Sequence, residues 1–328
     1  MLMFREPTLL KLCGVENGGN RAQLHPSERT KLHVGRKSEV ARRPRGILHG
    51  FPEIWYSWRH QMIAVAKAGY RAIAPDYRGY GQSDPPPDPE KATFSDFLAD
   101  ILALLDALSI PKVFLIGKDF GARIAYIFSL VHSGRVSGII TLGVPFVPPT
   151  RTTVHRHLPQ GSYISRWQEP GRAEADFSRF PCKTVVRNIY ILFSRNEVPT
   201  AGDNQEVMDI VDPSTALPPW FTEEDLATYA SLYEKSGFQT ALQVPYRCLG
   251  EEFNIANLKI EVPALVIIGG KDFSLRFPGI EDYVRSGGAK VYVPNYQTAY
   301  LAEGSHFMQE QFPEQVNQLI LNFLSSCS

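Results

Sequence analysis

The sequence predicts an α/β fold: a mostly parallel sheet flanked by helices, with an inserted helical cap. Three observations predict it. Short apolar runs alternate with amphipathic helical stretches from about residue 46. The alternation stops after Gly143-Val144-Pro145-Phe146-Val147-Pro148-Pro149 for roughly the next hundred residues, then returns. And one strand-to-helix turn, Gly117-Lys118-Asp119-Phe120-Gly121, carries a carboxylate between two glycines.

Taken in order, residues 1–45 read as an irregular basic leader. Arg29, Lys31, Arg36, Lys37, Arg42, Arg43 and Arg45 crowd a stretch where two antiparallel edge strands would be expected, and apolar periodicity is missing. The first part of the core spans 46–148, the cap 149–250 and the second part of the core 251–328. In the first part, Arg71-Ala72-Ile73-Ala74 reads as a strand. Ser95 is the candidate cap of a helix that carries Leu98, Ile101, Leu102, Leu105 and Leu108 at helical spacing and stops before Pro111. Val113-Phe114-Leu115-Ile116 is a strand, the glycine turn follows, and a helix runs through Ile124, Ala125, Ile127 and Phe128 to a buried strand at Gly138–Leu142. The plainest cap helix begins at Thr222, has Asp225 at the capping-box position and stops at Gly237. Ala264–Gly269 and Lys290-Val291-Tyr292-Val293 read as strands, and Pro313 to Leu324 as the last helix.

Composition narrows the function. Of 328 residues, Lys+Arg and Asp+Glu number 34 each, so net charge favours neither nucleic acid nor an anionic membrane, and a neutral ligand is expected. Cys13, Cys182, Cys248 and Cys327 lie far apart without a C-x-x-C pair, which argues against a disulfide framework and against a thiolate metal site. Arg5, Glu6 and Pro7 break the apolar amino terminus before a signal segment can form, and no stretch reaches bilayer length. The expectation is a cytoplasmic protein, a monomer or homodimer, without metal or organic cofactor.

A carboxylate at the centre of such a turn predicts attack on a saturated, polarised carbon, giving an alkyl ester that a base can hydrolyse with water. The base needs a partner that holds its tautomer. Asp272 follows one apolar strand in Gly270-Lys271-Asp272-Phe273, and His306 follows the last strand region in Glu303-Gly304-Ser305-His306-Phe307. The N–H groups of Phe51, in His49-Gly50-Phe51-Pro52, and of Phe120 are the candidate oxyanion donors. Tyr163 and Tyr246 are the candidate donors to an opening oxygen, since a neutral phenol donates a hydrogen bond at neutral pH. Tyr190, Tyr229 and Tyr233 read as core aromatics.

The stretches His49-Gly50-Phe51-Pro52-Glu53-Ile54-Trp55-Tyr56-Ser57-Trp58-Arg59-His60-Gln61-Met62, Asp76-Tyr77-Arg78-Gly79-Tyr80-Gly81-Gln82-Ser83-Asp84 and Tyr163-Ile164-Ser165-Arg166-Trp167-Gln168-Glu169-Pro170-Gly171 resemble the plant-type soluble epoxide hydrolases of the α/β-hydrolase superfamily, over roughly residues 46–325. The resemblance implies Asp119 as nucleophile, His306 as base, Asp272 as its partner, Phe51 and Phe120 as oxyanion donors, and Tyr163 and Tyr246 as ring-opening donors. It also implies Trp55 and Phe146 against a small hydrophobic epoxide, with water as the second reactant. Lys118 and Phe120 depart from the family's usual His-Asp-Trp-Gly turn, and Gln243-Val244-Pro245 departs from its usual context before the second tyrosine. Two alternatives stay open. A haloalkane dehalogenase shares the nucleophile, and a catalytically weak ligand-binding paralogue would follow if Lys118 paired with Asp119.

Overall fold

A computed structural model describes residues 8–11, 31–37, 42–149 and 158–327. Cys13, most of the expected leader and the opening of the expected cap, 150–157, lie outside the described residues. The strands are β1 (Thr8–Lys11), β2 (Lys31–Lys37), β3 (Arg42–Leu48), β4 (Tyr70–Pro75), β5 (Val113–Lys118), β6 (Val136–Leu142), β7 (Ala264–Gly269) and β8 (Tyr296–Leu301). They form a sheet in the order β1-β2-β4-β3-β5-β6-β7-β8. From β3 to β8 every pairing is parallel, while β1 and β2 add antiparallel at one edge. Parallel pairing puts the carboxyl ends of six strands on one edge, so the loops leaving them meet there.

Helices α1 (Arg59–Lys67), α2 (Phe94–Ala107) and α3 (Phe120–Val131) belong to the first half. Between β6 and β7 come α4 (Tyr163–Gln168), α5 (Arg172–Ser178), α6 (Cys182–Phe193), α7 (Glu223–Ser236) and α8 (Gln239–Gln243). The chain closes with α9 (Ile280–Arg285), α10 (Met308–Gln311) and α11 (Pro313–Ser326). β5 and β7 are buried at every position, because helices cover both faces of the sheet. Alternate side chains divide between two cores: Phe114 and Ile116 pack with Met62 and Val65 of α1 and Ile320 of α11, while Leu115 faces Ile124 and Phe128 of α3. No helix among the described residues is long and apolar enough to cross a membrane.

Three expectations need correction. The segment expected as an irregular leader supplies β1, β2 and the start of β3. Leu32 and Val34 of β2 are both buried, a period-2 alternation too short to stand out among the charges. The polar segment before His49 is a central strand because Arg45, 0% exposed, lies between two rings: its guanidinium carbon is 4.2 Å from the Tyr70 centroid and 4.3 Å from that of Phe114. Pro44, which has no N–H for the ladder, sits at a register shift. Residues 290–293 are not a strand: Gly288–Val291 is a 3-10 turn entered from a left-handed Gly287, and β8 at Tyr296–Leu301 occupies the edge of β7.

The third correction concerns α2. Thr93, in extended conformation, is its cap: Thr93 Oγ1 accepts from the Asp96 N–H at 3.3 Å, and Asp96 Oδ2 accepts from the Thr93 N–H at 2.8 Å. Ser95 lies inside the first turn and donates its N–H and hydroxyl to Glu251. The Thr222–Asp225 capping box and the Gly237 stop of α7 stand as expected. Replacing Thr93 with Ala should therefore lower stability by about 1 kcal/mol, read as a lower urea midpoint at unchanged slope. An unchanged midpoint would show that α2 is held by its packing alone.

Candidate active site

Asp119 joins β5 to α3 with φ 54° and ψ −124°, a backbone conformation that side chains rarely adopt. Such strain costs of order 1–3 kcal/mol and persists because the flanks are tightly packed. A Cβ on Gly121 would lie 2.3 Å from the Leu48 carbonyl oxygen, and one on Gly50 would lie 2.5 Å from Asp119 Oδ1. Bare backbone at both positions lets the loop after β3 close against the turn after β5.

That closure gives the carboxylate its donors. The Phe51 N–H donates to Asp119 Oδ1 at 3.1 Å, and the Phe120 N–H adds a backbone hydrogen bond. On the other side, His306 Nε2 lies 3.6 Å from Asp119 Oδ2, and His306 Nδ1 lies 3.0 Å from Asp272 Oδ1, which also accepts the Ser274 N–H at 2.9 Å. Asp119, Asp272 and His306, separated in sequence, thus form one chain of contacts across the loops after β5, β7 and β8.

Burial pushes the Asp119 carboxyl up, but the hydrogen bond and charge of His306, the Lys118 ammonium and the Phe120 N–H more than offset it and leave it below its ordinary value. The same contest, with His306 as the main counterweight, lowers Asp272. For His306, burial and Lys118 pull the pKa down, while Asp272 and Asp119 carry it up to about 8.

A cavity of about 200 Å³ opens above Asp119 and His306, walled by Phe120, Phe146, Tyr163 and Phe273. Phe146, expected against the substrate, lies in the cavity wall. Trp55 does not: it packs with the core on the opposite face of the sheet, and its backbone N–H donates to Asp76 Oδ1 at 2.8 Å. The chain turns into a 3-10 helix at Trp55–Trp58, which carries the ring away from the cavity.

Tyr163 opens α4 and lines the cavity. Tyr246 lies edge-on to it with ring centroids 6.1 Å apart, and packs 5.4 Å from Phe120 and 5.5 Å from Phe51. Burial holds both phenols well above their ordinary pKa, so both keep their protons. Tyr190 and Tyr229 are buried elsewhere and donate to Glu310, and Tyr233 donates to the Glu53 carbonyl.

Lys118, the last residue of β5, turns toward Glu53 and Phe307. Its Nζ lies 3.2 Å from Glu53 Oε2 and 4.8 Å from the Phe307 ring centroid. Glu53 in turn accepts the Gly50 N–H at 3.1 Å, so the pair braces the oxyanion loop from below. Glu53, Phe273 and Arg123 were missed in the sequence. Two sat beside recognised residues, Glu53 after Phe51-Pro52 and Phe273 after Asp272, and Arg123 stands one helical turn beyond Asp119.

A family model described as the α/β hydrolase fold matches residues 47–313. Epoxide hydrolase 3 of Siraitia grosvenorii is 35% identical over 289 residues, 85% of this chain and 90% of the relative. Epoxide hydrolase A of Mycobacterium tuberculosis is 31% identical over 85% of this chain and 89% of its own. Among solved structures, potato epoxide hydrolase I superposes with a TM-score of 0.84 at 30% identity, covering 98% of this chain and 99% of that one. An epoxide hydrolase from Vigna radiata gives 0.82 at 31% identity, with 98% of each chain covered. Relatedness of this depth over this length means that the chain belongs to the α/β-hydrolase fold family and, within it, to the epoxide hydrolases.

Proposed function

We propose that the chain converts epoxides into vicinal diols through an ester on Asp119. The observation that carries this reading is the ionised Asp119 carboxylate at an apolar cavity, one oxygen on the Phe51 N–H and the other toward His306, with the protonated phenol of Tyr163 in the cavity wall and that of Tyr246 edge-on to Tyr163. In the first half-reaction an Asp119 oxygen attacks a ring carbon, the ring C–O bond breaks, and the alkoxide takes a proton from a tyrosine. In the second, His306 takes a proton from water, and the hydroxide adds to the ester carbonyl while the Phe51 and Phe120 N–H groups hold the oxyanion. The ester C–O bond then breaks, the diol leaves, and the proton on His306 returns to the tyrosinate by way of the product. Residues 149–250 act as the cap of this site, on a core formed by 46–148 and 251–328 and extended by β1 and β2. The reading includes a cytoplasmic location, suited to widely separated thiols, and a monomeric or homodimeric state.

Asp119→Asn should form no ester, whereas His306→Gln should form it and hold it. Mass spectrometry of each variant mixed with styrene oxide reads this on the peptide containing residue 119. No adduct on His306→Gln, with the parent active, rules out the assigned roles.

Tyr163→Phe and Tyr246→Phe should each slow ester formation by roughly ten- to a thousandfold, and the double change should nearly abolish it. Rapid-mixing alkylation rates measure this. A parental rate in Tyr246→Phe leaves Tyr163 as the sole donor.

Lys118 pulls the His306 pKa down, and His306 must be neutral to accept a proton from water. Lys118→Met should therefore move the acid limb of ester hydrolysis to higher pH, measured in single turnovers across pH. A limb that stays in place or moves down shows that the ammonium does not act on His306.

A further inference from the structure

The loop after β4 carries Asp76-Tyr77-Arg78-Gly79-Tyr80 and reaches the segment between β6 and β7. Tyr80 is buried and donates its hydroxyl to the Val244 carbonyl at 2.8 Å. Burial holds this phenol well above its ordinary pKa, so it keeps the proton that it donates. Its base is fixed by the loop itself: the Tyr80 N–H donates to the Tyr77 carbonyl at 2.9 Å, the Ser83 N–H to the Tyr80 carbonyl at 2.9 Å, and the Ser83 hydroxyl to the Asp76 carbonyl at 2.7 Å. The ring is packed on two sides, with centroids 5.0 Å from His49 and 6.4 Å from Tyr233 of α7.

Val244 is the step from α8 to Tyr246. It is extended, at φ −114° and ψ 105°, and Pro245 after it has no N–H, so the helical ladder is broken just before Tyr246. On the near side, Gln243 Nε2 adds a longer bond, 3.3 Å, to the Ala92 carbonyl. Tyr246 itself is held by rings, with centroids 5.0 Å from Trp167, 5.4 Å from Phe120 and 5.5 Å from Phe51. Ring contacts are satisfied over centroid distances of roughly 4.5–7 Å, so the placement of the hydroxyl falls to the backbone that carries it. A donor to an opening epoxide must meet one oxygen, and a displacement of about 1 Å can cost on the order of a hundredfold in rate. We propose that Tyr80 is a positioning residue for ring opening: its hydroxyl holds the Val244 carbonyl and so sets where Tyr246 stands beside Tyr163. The proposal rests on Tyr246 as a donor to the opening oxygen.

Tyr80→Phe removes the hydroxyl and keeps the ring. Rapid mixing with styrene oxide should show ester formation slowed by roughly three- to a hundredfold, while hydrolysis of the ester, which His306 drives, stays within about twofold of the parent. Preserved hydrolysis also reports that the variant folds. Double variants locate the effect: Tyr80→Phe should add nothing in a Tyr246→Phe background and at least its full slowing in a Tyr163→Phe background. A hydroxyl that only stabilises the fold would slow both backgrounds alike, and that result overturns the proposal. So does an unchanged rate of ester formation, or an equal slowing of both half-reactions. A parental rate in Tyr246→Phe sinks the proposal too, and the hydrolase reading then stands on Tyr163. If the parent forms neither ester nor diol, that reading fails and the proposal fails with it.

Discussion

The site depends on keeping one carboxylate ionised where water is scarce. A lone carboxylate in an apolar cavity would take up a proton rather than bear the cost of desolvation. Asp119 avoids this because its two oxygens meet different partners: Oδ1 has the Phe51 N–H, and Oδ2 has His306. Neither partner is adjacent in sequence. The N–H must arrive on a loop that can touch the turn, which Gly50 allows, and the imidazole must be held by a second carboxylate, which Asp272 supplies. The Lys118 worry dissolves on the same ground. A cation paired with Glu53 lends its field to Asp119 without capping the oxygens that must react.

The parallel sheet is what brings these partners to one place. β3 and β5 are neighbours, so the oxyanion loop and the nucleophile turn start about 4.8 Å apart and need little chain to meet. β7 and β8 are also neighbours, which sets Asp272 beside His306. One strand, β6, separates the two pairs, and the length of the imidazole from Nδ1 to Nε2 bridges what remains. The long insertion between β6 and β7 then leaves from the middle of this edge, so its aromatic residues are fed directly over Asp119.

The sequence made the triad legible because each member sits in a local motif at a strand end, where a glycine turn or a short polar loop interrupts an apolar run. It did not make the walls legible. Trp55 lies in the same stretch as the oxyanion loop, yet a 3-10 turn of the backbone points it to the other face. Arg123 belongs to the cavity only because the loop after β6 and Leu249 come to lie beside it. β2 was hidden because its charges leave only two apolar positions, Leu32 and Val34, to mark it, and β3 because a buried arginine between two rings reads as surface. Apart from Trp55, contacts between distant segments decided them.

The His306 pKa of about 8 gives the proposed two-step reaction its order. In the resting state two carboxylates, Asp272 and Asp119, face the imidazole and favour its protonated form. Forming the ester removes the Asp119 charge, and with it one of the influences that hold the proton, while Lys118 and burial continue to pull the pKa down. His306 therefore gives up its proton more readily once the nucleophile has been consumed. In the proposed reaction, water activation is thereby favoured once there is an ester to attack.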